Sequence, residues 1–444
     1  MLRLITSSKA AFRFPITAIA TQSRAITPRR CLSTHTPKLN LPLEGVKVVD
    51  LTRVLAGPYC TQILADLGAE VIKLEHPEKG DDTRAWGPPY APYKDGTNQE
   101  GPGESAYFLS VNRNKKSLGI NFKSPEGQKI VKDLIKSADV VVENYVPGTL
   151  AKYGLSYEQI NQENLIYASI TGYGQTGPYS NRPGYDVMVE AEMGLMHITG
   201  EPTGQPVKVG VAVTDLTTGL YAVNSIMASL IQRSKTGRGQ HLDICLSDCQ
   251  VVTLANIASS ALISGKPDAG RQGTAHPSIC PYQAFETKGG GSIMIGGGND
   301  NLYRLVCDAL GKPEWKEDPR FLTNALRVKN RDVLVPAMTE ITKSKTTKEW
   351  LEIFDGKKFP YASVNDIQTT LNHPHVLARD MVVTVDHPAC GDIKMVNTPV
   401  KYSETQPTIR SAPPLLGQHT DEVVKNLGYN EDEIKALKEG GVIA

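Results

Sequence analysis

No stretch of the 444-residue sequence approaches eighteen consecutive apolar residues, which excludes a single helix crossing a bilayer. The seven cysteines, at positions 31, 60, 245, 249, 280, 307 and 390, form no CxxC pair and no His/Cys ligand spacing, so no metal site is expected. GxSxG, HExxH and Walker A patterns are all missing, and with them the commonest signatures of serine hydrolases, zinc proteases and P-loop enzymes. Acidic residues are missing from the first 43 positions, where Glu44 is the first. What remains is ordinary globular material: 40% hydrophobic and 21% charged residues, in a length that suits about two or three domains.

The acid-free leader holds Arg3, Arg13, Arg24, Arg29, Arg30, Lys9 and Lys38 among Ser and Thr. Arginine-rich, hydroxyl-rich and acid-free is the pattern of a mitochondrial presequence, here read as residues 1–32 and pointing to the matrix. No continuous apolar core follows the first charges, so a secretory signal does not fit. Removing that leader takes six basic residues with it and leaves 42 basic against 47 acidic. A slightly anionic protein of this kind is expected to bind neither nucleic acid nor a membrane surface. Free thiols suit a matrix protein.

Val46-Lys-Val-Val-Asp-Leu51 reads as a buried strand, followed by a helix opened by Pro58 and closed by Gly68, and Glu70-Val-Ile-Lys-Leu-Glu75 as the next strand. Ser124 and Pro125 open a helix with Ile130, Val131, Leu134 and Ile135 on one face. Strands at 139–143 and 165–170, a helix over 217–233 and a strand at Leu242 continue the alternation. The pattern predicts an α/β fold with a mainly parallel, Rossmann-like sheet. Between about 255 and 390 the texture changes to Gly-rich segments and shorter helices, read as a smaller α/β domain.

Gly172-Tyr-Gly-Gln-Thr-Gly177 matches GxGxxG after a strand, but Pro178 and Asn181-Arg-Pro-Gly184 continue as loop where a dinucleotide site needs a helix. Asp215 stands where a strand-like run meets a helix start. Capping that helix is the commonest use of such an aspartate, and capping would hold the carboxylate ionised, the state a nucleophile requires.

Several segments together resemble the family III CoA-transferases: Ala56-Gly-Pro-Tyr-Cys-Thr-Gln62, Leu64-Ala-Asp-Leu-Gly-Ala-Glu-Val-Ile-Lys-Leu-Glu75, Gly80-Asp-Asp-Thr-Arg84, Asn112-Arg-Asn-Lys-Lys-Ser117, Val142-Glu-Asn-Tyr-Val-Pro-Gly148 and Pro414-Leu-Leu-Gly-Gln-His-Thr420. The resemblance implies a large CoA-binding domain at 40–245, a small domain inserted at 255–390, and a segment at 395–444 that returns to the large domain. It also implies an interlocked homodimer. Asp215 matches the family's nucleophile. The α-methylacyl-CoA racemases of the same superfamily carry a basic histidine where Tyr185 stands here, and a tyrosine is a poor base near neutral pH. Transfer is therefore expected over racemisation, and a catalytically silent CoA-binding role is the other alternative.

The implied reaction takes CoA from succinyl-CoA to a dicarboxylic acid such as glutarate through aspartyl intermediates, with no permanently bound cofactor. Positions carried over for CoA are Val54, Leu55, Ala56, His76, Asn121, Lys123, Asn144, Tyr145 and Lys152. Arg113 and Arg182 are the candidate cations for the second carboxylate of the diacid. Gly296, Gly297 and Gly298 are the expected oxyanion donors or lid.

Overall fold

The computed structural model describes residues 41–444 apart from Ala269, so the leader at 1–32 lies outside the described residues. Six strands form the main sheet: β1 (Lys47–Leu51), β2 (Glu70–Glu75), β3 (Lys115–Gly119), β4 (Val140–Glu143), β5 (Ile166–Thr171) and β6 (His241–Cys245). Their spatial order is β3-β2-β1-β4-β5-β6, with every neighbour parallel. Val49 lies opposite both Ile72 and Val141 in this register.

Apolar side chains leave the central strands on both faces, as a parallel sheet covered on two sides requires. Val48, Val71, Val140 and Ala168 face α1 (Ala56–Asp66) and α4 (Val213–Thr236). Val49, Leu51 and Val141 face α2 (Pro125–Lys136). Pro125 sits in the first turn of α2, and the Ser124 hydroxyl accepts the Gly127 N–H at 3.0 Å, as the sequence predicts. The chain end lies along β3, where the Ala444 N–H donates to the Gly119 carbonyl at 3.0 Å. From that segment α9 (Thr420–Asn426) and α10 (Glu431–Glu439) add Val423, Val424 and Ile434 to the second core.

A separate antiparallel sheet, β9-β8-β7, joins β7 (Tyr282–Glu286), β8 (Ser292–Gly296) and β9 (Tyr361–Ser363). It packs its own core of Phe285, Ile293, Ile295, Tyr303, Trp350 and Phe354 with α6 (Asp300–Ala309), α7 (Arg331–Thr342) and α8 (Thr347–Phe354).

Two helix starts differ from the sequence reading. α1 begins at Ala56, two residues before Pro58, because residues 56 and 57 already have helical backbone and proline is tolerated throughout a first turn. α4 begins at Val213, with Ala212 at its N-cap and no side-chain cap. Asp215 therefore lies inside the first turn and caps nothing, which corrects the capping expectation. Where α1 and α4 cross, a Cβ on Gly219 would stand 2.7 Å from the Ala56 carbonyl oxygen. Glycine there lets the start of α4 approach the start of α1.

Candidate active site

In a doubly wound sheet the strand order reverses between β1 and β4, and the loops leaving their carboxyl ends part to form a crevice. A cleft of about 230 Å³ opens there. Its walls come from Arg53, Val54, Leu55 and Ala56 after β1, Asn144 and Tyr145 after β4, and Thr171 and Gly172 at the end of β5. Arg182, Tyr185 and Asp215 close the far side. A second cavity, also about 230 Å³, shares Arg53 and Tyr145 with the first and adds His76, Lys79, Asn121 and Lys123.

The β1–α1 loop is held from beneath. Val54 takes φ +71°, a left-handed conformation that is costly for a β-branched residue and persists only where surroundings enforce it. Asn144 clamps the preceding residue from both sides, accepting the Arg53 N–H at 2.9 Å and donating to its carbonyl at 2.8 Å. The Asp81 carboxylate receives the Val54 N–H at 3.3 Å. Below it, the buried Lys73 ammonium donates to the Thr52 carbonyl and to Asp81, each at 2.8 Å. Such strain is concentrated at functional sites, and here it turns the open end of α1 toward the cleft.

Asp215 is half-buried in the cleft wall. Its backbone N–H donates to Asp186 Oδ1 at 3.0 Å. Burial, reinforced by the Asp186 carboxylate, pushes the Asp215 carboxyl up to about 7. The side chain is thus poised to exchange a proton near neutrality, a property that marks candidate nucleophiles and bases.

The remaining predicted positions divide. Val54, Leu55, Ala56, Asn144 and Tyr145 line the first cleft, with Tyr145 shared, while His76, Asn121 and Lys123 line the second. Lys152 is exposed on a short 3₁₀ turn and lines neither cavity. Tyr185 is 65% exposed at the cleft mouth. Arg182 pairs with Glu192 at 2.8 Å and lies over the rings of Tyr173 and Tyr179, with about half of its side chain exposed.

Arg113 is placed elsewhere. It is buried, grips Asp66 at 2.7 Å and donates to the Val396 carbonyl at 2.7 Å, so its guanidinium is committed to structure. The glycine run also lies away from the cleft, since Gly296, Gly297 and Gly298 line neither cavity of this chain. The Gly296 N–H donates to the Pro360 carbonyl at 2.9 Å and that of Gly297 to the Pro281 carbonyl at 2.6 Å. Those two donors are engaged within the small antiparallel sheet and its flanking loops.

Sequence reasoning missed Asp186, Glu190 and the Lys73–Asp81 pair. Asp186 and Glu190 share one face of α3 (Asp186–Glu192), and their i,i+4 spacing was the available signal. The pair of Lys73 and Asp81 left none, since a lysine inside a strand reads as an edge position.

Residues 43–420 match the family described as CoA-transferase family III. The chain is 49% identical over 405 residues to the succinyl-CoA:glutarate CoA-transferase of Homo sapiens, a match covering 90% of each chain. It is 42% identical to the succinate–glutarate CoA-transferase of Agrobacterium fabrum, covering 89% of this chain and 98% of the other. The crystal structure of a CAIB/BAIF family protein from Brucella suis superposes with a TM-score of 0.78 at 41% identity, covering 88% of this chain and all of that one. A crevice at the strand-order switch, with a poised aspartate in its wall, and a match across most of the chain lead to one assignment: this protein belongs to CoA-transferase family III.

Proposed function

We propose that the protein moves CoA from succinyl-CoA to a dicarboxylate such as glutarate, with Asp215 as the nucleophile. The observation that carries this reading is the Asp215 carboxyl, raised to about 7 in the wall of the cleft. The names of the human and Agrobacterium relatives support the choice of substrates. Asp215 attacks the thioester carbonyl, which releases CoA thiolate and leaves a mixed anhydride. The thiolate attacks the aspartyl carbonyl, freeing succinate and forming an enzyme–CoA thioester. Glutarate then attacks that thioester, and the same steps in reverse yield its CoA ester and the free aspartate. Every acyl bond broken is replaced, so the thioester energy is kept.

Each attack builds charge on a carbonyl oxygen, which calls for preorganised donors. Leu55 and Ala56 line the cleft at the open end of α1, where N–H groups have no intrahelical acceptor. They take the role expected of the glycine run. The cations of the second cavity, Lys79 and Lys123, suit the phosphates of CoA. Hydroxylamine added with succinyl-CoA should convert Asp215 to a hydroxamate, located by peptide mass spectrometry. An unmodified Asp215 in a catalytically active preparation would overturn its assignment as nucleophile.

Arg182 is the cation proposed for the distal carboxylate, because it lines the cleft and keeps part of its guanidinium exposed. Arg182→Ala should raise the KM for glutarate about tenfold and leave that for succinyl-CoA within about threefold if the donor's free carboxylate binds elsewhere. Arg113→Ala should instead lower stability, since it strands Asp66. Equal glutarate KM values in Arg182→Ala and the parent would remove Arg182 from the site.

The acid-free leader supports residence in the mitochondrial matrix, with the leader removed on import. Homodimer formation is supported by α5 (Ala255–Ser264), where Leu262 is 84% and Ile263 87% exposed. N-terminal sequencing and sedimentation of protein recovered from mitochondria check both; an intact Met1 or a stable monomer would contradict them.

A further inference from the structure

Two more carboxyl groups stand behind Asp215. Asp186 opens α3, and Glu190 follows one turn later on the same face. Asp186 Oδ1 accepts the Asp215 N–H at 3.0 Å. Glu190 has no exposed surface. Its Oε2 accepts the Val209 N–H at 3.1 Å, while its Oε1 is buried without a hydrogen-bond partner. The Asp186 and Glu190 carboxyls are near enough to act on each other electrostatically. Two acceptor-only groups do not make such a contact favourable, and a buried oxygen left unsatisfied is costly. A neutral carboxylic acid resolves both problems, because it offers one acceptor oxygen and one O–H donor. Oε2 already accepts, which leaves Oε1 to donate.

We propose that Glu190 is a positioning residue that works in its protonated form, donating its O–H to Asp186, which in turn holds the backbone of Asp215. The arrangement fixes the first turn of α4 and keeps a further negative charge away from the nucleophile. It rests on the reading of Asp215 given above. Burial raises the Glu190 pKa, the Val209 N–H opposes it, Asp186 on its own helix adds to the rise, and Lys208 on the loop before α4 opposes it; the net direction is upward. Deprotonating Glu190 at alkaline pH would break its bond to Asp186 and loosen the nucleophile, so kcat should fall there.

The test compares the parent with Glu190→Gln, Glu190→Leu and Asp215→Ala in transfer from succinyl-CoA to glutarate across pH. Glutamine keeps both bonds through its amide, so kcat near neutrality should stay within about threefold while the alkaline fall disappears. Leucine removes both bonds and should lower kcat about thirtyfold or more with KM little changed. Because leucine beside Asp186 risks misfolding, the glutamine variant carries the decision. Its infrared difference spectrum against the parent near pH 7 should show loss of a protonated carboxyl C=O band. Loss of a carboxylate band instead, or an alkaline fall kept by Glu190→Gln, would overturn the proposal. Parent-like transfer by Asp215→Ala would overturn the reading of Asp215 itself, a separate failure.

Discussion

Asp215→Asn should abolish CoA transfer and, at the same time, make the protein more stable at alkaline pH. An amide cannot form the anhydride, so the expected loss in kcat is about a thousandfold or more. In the parent, kcat/KM should rise with pH through about 7 as the carboxyl ionises. The stability effect follows from the same displacement. A carboxyl whose pKa rises on folding, here from 3.8 to about 7, contributes stability that is fully present below pH 3.8 and lost as pH rises through 7. Asparagine is neutral throughout and escapes that loss. Urea unfolding at pH 8 should therefore show the variant about 2 kcal/mol more stable, a figure reduced for the partial solvent exposure of the site. At pH 4 the two proteins should nearly coincide. A variant no more stable at pH 8 than at pH 4, relative to the parent, would mean that the carboxylate is not strained by its surroundings.

The second large effect is expected at Lys73. Its side chain and that of Asp81 are both fully buried and meet at 2.8 Å. Replacing Lys73 by Met leaves an uncompensated carboxylate in the interior, a change that costs about 3–5 kcal/mol. It also removes the donor to the Thr52 carbonyl and slackens the loop that holds Val54 left-handed. The KM for succinyl-CoA should rise along with the loss of stability. The double variant Lys73→Met with Asp81→Asn should regain much of the stability, because the Asp81 carboxylate is no longer left uncompensated, but not the KM. Burial opposes ionisation of Asp81, yet Lys73 and the Thr83 donors outweigh it and pull the carboxyl down to about 2. Its contribution is therefore present above about pH 4 in the parent and lost as pH falls through 2. A Lys73→Met protein that unfolds at the parent's urea midpoint would refute the account of the loop.

The alternation of Val46 to Leu51, Glu70 to Glu75 and the Ser124–Pro125 helix start was readable locally, because burial on both faces and helix capping are written into neighbouring residues. The crevice was not: the loops after Leu51 and Glu143 meet there because β1 and β4 are neighbours in the sheet, and the strand order decides that. Asp215 was legible as a special residue but for an incomplete reason. Its place inside α4 depends on where the helix begins, and that is set by packing at Gly219 as well as by residue type.

The two arginines separate what each level decides. In the sequence Arg113 and Arg182 are equivalent cations, each followed closely by polar or turn-forming residues. In the fold Arg113 meets Asp66, 47 residues earlier, and is fully engaged, while Arg182 meets Glu192 ten residues later and stays at the cleft. The glycine run differs in the same way, its first two N–H groups being taken by the carbonyls of Pro360 and Pro281. By itself the sequence determined the parallel α/β core, the acid-free leader and the helix opened by Ser124, since these follow from periodicity, local charge and short-range capping. Only the tertiary structure decided which donors, cations and carboxyls are free to act, because that depends on partners far away in the chain and on how much water they exclude.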